Sequence, residues 1–319
     1  MADRLHVEGW APDYGSPLET DEDFTPPPGS VIDDAEVAGP WHPIDGHDDG
    51  VEVVVFVDGV RRVDAYLTVD RELGPVPGLC GSLAVGAVRW DRRVPRSTVT
   101  DVEVQRLAVF TNGLATDVPI AGPQLAYTTH AVHDPDPAVL IRHFHEQMRR
   151  AEARLAERLA AEGLFVVADG PINDLSATEK VGYIKTHRVT YLPAERAGII
   201  ARLGPGQRSP LFTIGQATSQ FPKYSWYVRL AVLPNGHSWT GIVRCEASTK
   251  LGVAKAAVLA NRTAALLPLV ASEAHVDPRA PQNLVPISAL EKEMRRYMGD
   301  PKFIHRALQA AVARSGALV

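Results

Sequence analysis

The 319-residue chain has 45% hydrophobic and 22% charged side chains, the balance of a well-packed globular protein of one or two domains. No run of about 18 apolar residues is present, which argues against a membrane span. The two cysteines, Cys80 and Cys245, are too few for a disulfide framework or a cysteine-based zinc site. The opening "MADRLHVEGW" has neither the basic nor the apolar region of a signal peptide, so a reducing cytoplasm is the expected location. The net charge of −5 is unevenly spread. Residues 1–50 hold 13 acidic residues against one arginine, and the rest holds 25 acidic against 32 basic, a balance of +7. A basic body suits a phosphate-rich ligand. The acidic segment is either a tail that competes for that ligand's site or a solubilising one.

In chain order, residues 1–50 ("TDEDFTPPPGSVIDD") show no sustained periodicity and read as a mostly irregular arm, with Trp10 and Trp41 as docking residues. Residues 51–319 read as one domain. "VEVVVFV" and "RRVDAYLTV" are predicted strands that the Asp58-Gly59 link would turn into a hairpin. The unbroken apolar character of the first predicts a central strand covered on both faces. "LCGSLAVGAVRW" and "TDVEVQRLAVF" are further strands. "DPDPAVLIRHFHEQMRRAEARLAERLAAEG" predicts a helix ending at Gly163, with Leu140, Phe144, Met148, Ala151 and Leu155 on one face. Strands follow at "LFVVAD", "KVGYIKTH", "PLFTIGQ", "SWYVRLAVL" and "SWTGIVRCEA". Helices follow at "GVAKAAVLANRTAALLPLVASEA", "ISALEKEMRRYMG" and "PKFIHRALQAAVARSG". The pattern is that of a mixed α/β or α+β fold, α/β being the expected class.

Two predicted strands end in Asp-Gly, at Asp58 and Asp169. Asp-Gly is ordinary turn chemistry, and that reading competes for Asp58. For Asp169 the following Pro171 cannot donate to a continuing ladder, so this carboxylate stands where a strand gives way to a loop. The long helix offers Glu146, Glu152 and Glu157. Of these, Glu152 flanks the apolar stripe, although a surface ion pair with Arg149 or Arg150 is the commoner fate of such a residue. Three carboxylates meeting at one point repel one another unless divalent cations lie between them. All-oxygen ligation suits Mg²⁺ or Mn²⁺.

"VVVFVDGVRR", "RRAEARLAE", "LFVVADGPI", "VGYIKTHRVTYL", "PLFTIG", "SWYVRL" and "WTGIVRCEA" stand in the order seen in NurA nucleases, which this chain resembles over roughly residues 51–300. The resemblance implies an RNase H-like mixed β-sheet flanked by helices. It also implies Mn²⁺-dependent (or Mg²⁺-dependent) hydrolysis of DNA, with 5'-3' exonuclease and single-strand endonuclease action. A homodimer and a HerA-type hexameric ATPase as partner follow from it too. By position, the metal-binding residues look like Asp58, Glu152 and Asp169, with Lys185 as a phosphate contact or, equally, an exposed lysine. Where the family carries a histidine in a "P-x-P-x-x-x-A-H" segment, this chain has Leu290. Glu291, His275, Asp277 and Asn283 are then candidates for a fourth ligand, or else capping and surface residues.

Lys223, Tyr224, Trp226 and Arg229 interleave basic and aromatic character as single-strand stacking sites do. They equally fit an alternating strand, and packing is the expected role of Trp226. No P-loop, dinucleotide loop, "H-E-x-x-H" or nucleophile elbow is present. The rival reading is a catalytically weak nucleic-acid-binding or scaffold subunit of the same ATPase complex. An RNase H-like enzyme acting on RNA is a further one.

Overall fold

The computed structural model describes residues 4–7, 30–94, 96–119, 125–172, 176–185, 191–216, 222–233, 238–273, 275–277 and 279–316. Trp10 lies outside the described residues.

Among the described residues of segment 1–50 there are three short strands, β1 (Arg4–Val7), β2 (Ser30–Asp34) and β3 (Ile44–Asp45). The alternating stretch that follows is one 18-residue strand, β4 (Val53–Asp70), and not two strands joined at Asp58-Gly59. The turn lies after Asp70, and β4 pairs antiparallel with β5 (Val76–Asp91) from Val53↔Asp91 to Val69↔Val76. Local Asp-Gly chemistry is overridden because Gly59 sits in the ladder opposite Val85, and a Cβ there would lie 3.1 Å from the Met148 side chain, which fills the space. β6 (Ser97–Phe110) and β7 (Thr128–Ala131) extend this side of the sheet.

Helix α1 (Ala138–Ala161) begins where Asp136 accepts from the Ala138 N–H at 2.9 Å, and Gly163 follows its end at φ +82°. All five residues of the predicted apolar face are buried, against Val55, Val57 and Val166. Next come β8 (Phe165–Asp169), β9 (Lys180–Ile184), the short helices α2 (Ala194–Ala197) and α3 (Ile199–Arg202), β10 (Gln207–Arg208), β11 (Phe212–Gln216), β12 (Lys223–Arg229) and β13 (Ile242–Ser248). Helix α4 (Val253–Leu266), a 3-10 turn (Leu267–Val270), α5 (Val285–Tyr297) and α6 (Pro301–Gly316) complete the chain. Val253–Val270 is long and apolar enough by composition to cross a membrane, yet half of it is buried in the core against the sheet.

The main sheet runs β2-β11-β12-β13-β9-β8-β4-β5-β6-β7. At its centre β4, β5 and β6 are antiparallel, while β8 and β9 run parallel to β4 after the α1 crossover. That is the RNase H-like order, 3-2-1-4-5, and the molecule is a mixed sheet flanked by helices. As expected, β4 is central. Its Val54, Phe56 and the β8 residues Phe165 and Val167 pack toward α4, and the intervening residues pack toward α1.

Residues 30–49 are tied to the body by ion pairs. Glu36 takes a bidentate pair from Arg208 at 2.7 and 2.8 Å, and Arg208 is 1% exposed. Asp49 pairs with Arg262 at 2.5 Å, Asp48 with Arg92 at 2.5 Å, and Asp34 with Arg196. Trp41 is buried against Phe212. β2 pairs with β11 over Asp34↔Phe212 to Ser30↔Gln216.

At the other end, a bulge between Val63 and Ala65 buries Asp64, which accepts from Arg62 Nε at 3.0 Å, from Tyr127 at 2.8 Å and from Ser82. Arg62 and Arg106 also donate to the Gly299 and Met298 carbonyls at 2.8 and 3.0 Å, which pins the α5–α6 corner to the sheet. Replacing Glu36 by alanine leaves Arg208 buried without its carboxylate. A loss of about 3 kcal/mol is expected in urea denaturation, and a change under about 1 kcal/mol, the worth of an exposed pair, would show that the strap is only loosely held.

Candidate metal centre

Alternation along three neighbouring strands brings three polar side chains to one point. Val54 and Phe56 lead to Asp58 on β4, Phe165 and Val167 to Asp169 on β8, and Val181 and Tyr183 to Lys185 just beyond β9. The six apolar residues share one core cluster, so the three polar ones continue the same face. The parallel register Val57↔Ala168 puts Asp58 and Asp169 one step further on, side by side. Asp58 therefore stands within its strand and not at its end, while Asp169 does close β8.

The third carboxylate arrives from above the same face. Ile287, Leu290 and Met294 form the buried stripe of α5, with Leu290 and Met294 packed on Val60, Ala84 and Val88. Leu290 is thus a core residue, and its neighbour Glu291 is turned toward the aspartates. Ligand oxygens of Asp58, Asp169 and Glu291 all lie within 4.8 Å of one another. Glu152 is not one of these three, yet the charges of Asp58, Asp169 and Lys185 all act on it. It is 5% exposed but comes from α1, on the opposite face of the sheet, where it lines a small recess with Arg149, Ala153, Ala168, Pro171 and Lys180. Glu146 pairs with Arg150 and Glu157 with Lys180.

Lys185 donates to Asp169 Oδ2 at 2.6 Å and to Asn283 Oδ1 at 3.0 Å. The Asn283 amide is fixed in that orientation because its Nδ2 donates to Asp277 at 2.5 Å and contacts Ser288. Arg279 spans from Asp277 to Glu291, 3.4 Å from each. Tyr183, buried on β9, donates to the Gln282 carbonyl at 2.5 Å and so holds this loop over the site. Of the four sequence candidates for a further ligand, Glu291 joins the aspartates, Asp277 and Asn283 buttress Lys185, and His275 is exposed beside Glu273.

Behind Asp169 the backbone is crowded. A Cβ on Gly182 would lie 2.8 Å from the Gly170 carbonyl oxygen, and Gly170 itself has φ +97°. Buried Glu246 accepts from the Ile172 N–H at 3.3 Å and pairs with Lys223 at 3.1 Å and Arg244 at 2.8 Å. It fixes the segment that follows Asp169, a role no local pattern announces. Trp226 is fully buried, with its Nε1 donating to Thr263 at 3.0 Å. Arg229 is buried against the Leu203, Ile200, Thr240 and Ser238 carbonyls. Packing is therefore the role of the β12 aromatic-basic run, and Lys223 is committed to Glu246.

Burial pushes the Asp58 carboxyl well up, the neighbouring Asp169 and Glu291 push it further, and Lys185 only partly offsets them. Burial likewise raises Glu152 well above the ordinary range against the pull of Arg149. Lys185 is held protonated: burial works against its charge, and Asp169, Asp58 and Glu291 outweigh it. Burial would raise Asp277, yet hydrogen bonds from Asn283 and Arg279 bring it down to about 2. Three acids, Asp58 buried and Asp169 and Glu291 half-buried, with one lysine among them fit a divalent cation. The all-oxygen donor set is that of Mg²⁺, Mn²⁺ or Ca²⁺ and not of zinc. When bound there, such a cation polarises a phosphoryl oxygen and favours deprotonation of the attacking water.

No protein-family model and no curated protein sequence matches this chain. Among solved structures, the crystal structure of the NurA nuclease from Sulfolobus solfataricus is similar at 12% identity and a TM-score of 0.44, covering 81% of this chain and 86% of that one. At this degree of likeness, function has to be argued from the site itself.

Without divalent cations, the raised Asp58 carboxyl binds a proton in the folded state that the unfolded chain has released. Stability should therefore fall as pH rises above 3.8, the ordinary value, until the folded-state pKa is passed. Asp58→Asn is expected to flatten this slope in urea titrations with EDTA and to leave the protein at least as stable at pH 7. An unchanged slope would show that the group is already compensated.

Proposed function

We propose that the protein is a metal-dependent nuclease that hydrolyses phosphodiester bonds of DNA. The observation that carries this reading is the meeting of Asp58, Asp169 and Glu291 from two adjacent parallel strands and a covering helix, with Lys185 at their side. Asp58 and Asp169 would hold the cation from below and Glu291 from above. Lys185, protonated and oriented by Asn283, would lie against the phosphate and stabilise charge developing on its oxygens. Arg279, bridging Asp277 and Glu291, would keep the helical carboxylate turned inward. Glu152 would act from the α1 side as a further ligand or as an acceptor of protons.

The resemblance in sequence extends the proposal to Mn²⁺ in preference to Mg²⁺, to 5'-3' exonuclease and single-strand endonuclease action, to a homodimer, and to a HerA-type ATPase as motor. Two buried thiols suit a cytoplasmic setting. The second reading, a catalytically weak DNA-binding or scaffold subunit, draws on two features. Leu290 is a core residue where the family has histidine, and Lys185 bonds an Asp169 oxygen that a cation would use.

One assay separates the readings: cleavage of labelled single- and double-stranded oligonucleotides with Mn²⁺ or Mg²⁺. Asp58→Asn and Asp169→Asn are expected to lower the rate by at least about a hundredfold, since several kcal/mol of charge stabilisation vanish with the ligand set. Equal rates in wild type and Asp58→Asn would assign any cutting to a contaminant and favour the scaffold.

A further inference from the structure

The α1 flank of the carboxylate centre carries a second polar group that the proposed hydrolysis leaves unused. Arg149 projects from α1 over the turn that follows Asp169. A Cβ on Gly170 would lie 2.8 and 3.0 Å from its two terminal nitrogens, so only glycine lets the guanidinium rest on that turn. Its single hydrogen bond among the described residues is a long one, to the Pro171 carbonyl at 3.4 Å, and it makes no ion pair among them. Among the described residues most of its five donors have no hydrogen-bond partner, although its charge acts on Glu152 in the same recess.

One turn earlier on the helix, His145 Nδ1 accepts from Arg61 Nε at 3.0 Å. Burial, assisted by the charges of Arg61 and Arg149, lowers this imidazole to about 4, so it is neutral and serves as an acceptor. Arg61 lies three residues beyond Asp58 on β4, on the side facing α1. Arg61 thus bonds a neutral imidazole on which the charge of Arg149 also acts. A planar fork with open donors is the geometry that takes a phosphate bidentately.

We propose that Arg149, beside His145 on the α1 flank, forms a phosphate-binding subsite for the nucleic-acid strand whose reacting bond lies at the Asp58–Asp169–Glu291 centre. Arg149 makes the contact with a backbone phosphate beside the reacting one. The subsite rests on the nuclease reading. It adds how the strand is held and from which flank it approaches, namely over α1 and the Gly170 turn.

The test is binding of a fluorescent single-stranded oligonucleotide in EDTA over a series of salt concentrations, using the full chain. Arg149→Ala is expected to weaken binding by about tenfold and to reduce the slope of log affinity against log salt by about 1. Arg149→Lys should fall between, keeping charge without the fork, and it carries the test if the alanine variant folds poorly. Arg150→Ala, which removes an exposed arginine already paired with Glu146, should bind as wild type. Wild-type affinity and slope in Arg149→Ala, or equal losses in the Arg149 and Arg150 variants, would overturn the subsite and leave the nuclease reading intact. No oligonucleotide binding by the wild type, with or without Mn²⁺, would overturn both. Calorimetric Mn²⁺ titration of Arg149→Ala should match wild type, and lost metal affinity would place Arg149 in the cation centre instead.

Discussion

Two aspartates on adjacent parallel strands, forced onto one face by their register, are the constraint around which the rest is arranged. Their mutual repulsion and burial oppose folding, and the surrounding groups answer that opposition. Lys185 neutralises one carboxylate directly. The loop carrying Asp277 and Asn283 orients that lysine, and Tyr183 holds the loop down. A charge still uncompensated after these contacts is what a divalent cation is suited to supply.

The same logic explains how distant parts of the chain serve the site. Glu291 reaches the aspartates only because α5 is set at the correct depth, and that depth is fixed by two anchorages. One is the apolar stripe of Ile287, Leu290 and Met294 against the sheet. The other is the polar network around Asp64, whose arginines grip the carbonyls at the end of α5. On the far side, Glu246 secures the segment after Asp169 by its backbone. Substitutions at Ser82 or Arg62, far from any ligand, would thus be felt at the site through the tilt of one helix.

Parts of this were legible in the sequence. The period of Leu140, Phe144, Met148 and Leu155 announced α1, and Pro171 marked the end of β8 at Asp169, since a proline cannot extend the ladder. Glu291 was within reach once Leu290 took the place of a polar residue. The continuity of β4 was hidden because Asp-Gly looks the same locally in a hairpin and in a strand whose missing side chain is replaced by Met148 from a helix. The clamp on residues 30–49 was hidden for another reason. Its ion pairs join positions as far apart as Glu36 and Arg208, and only the folded chain brings them together. Glu152 was visible as a flanking residue of α1, yet which side of the sheet it would serve depended on packing that no helical spacing encodes.

β2 lies along β11 at one margin of the sheet, held by its strand pairing and by the ion pairs of Asp34 and, just beyond it, Glu36. Were those contacts screened or cut away, β11 would present a row of unsatisfied peptide groups, a ready template for a strand from another molecule. Residues 30–34 of the acidic segment, read along the chain as an appendage, thus cover an edge that β11 would otherwise leave open.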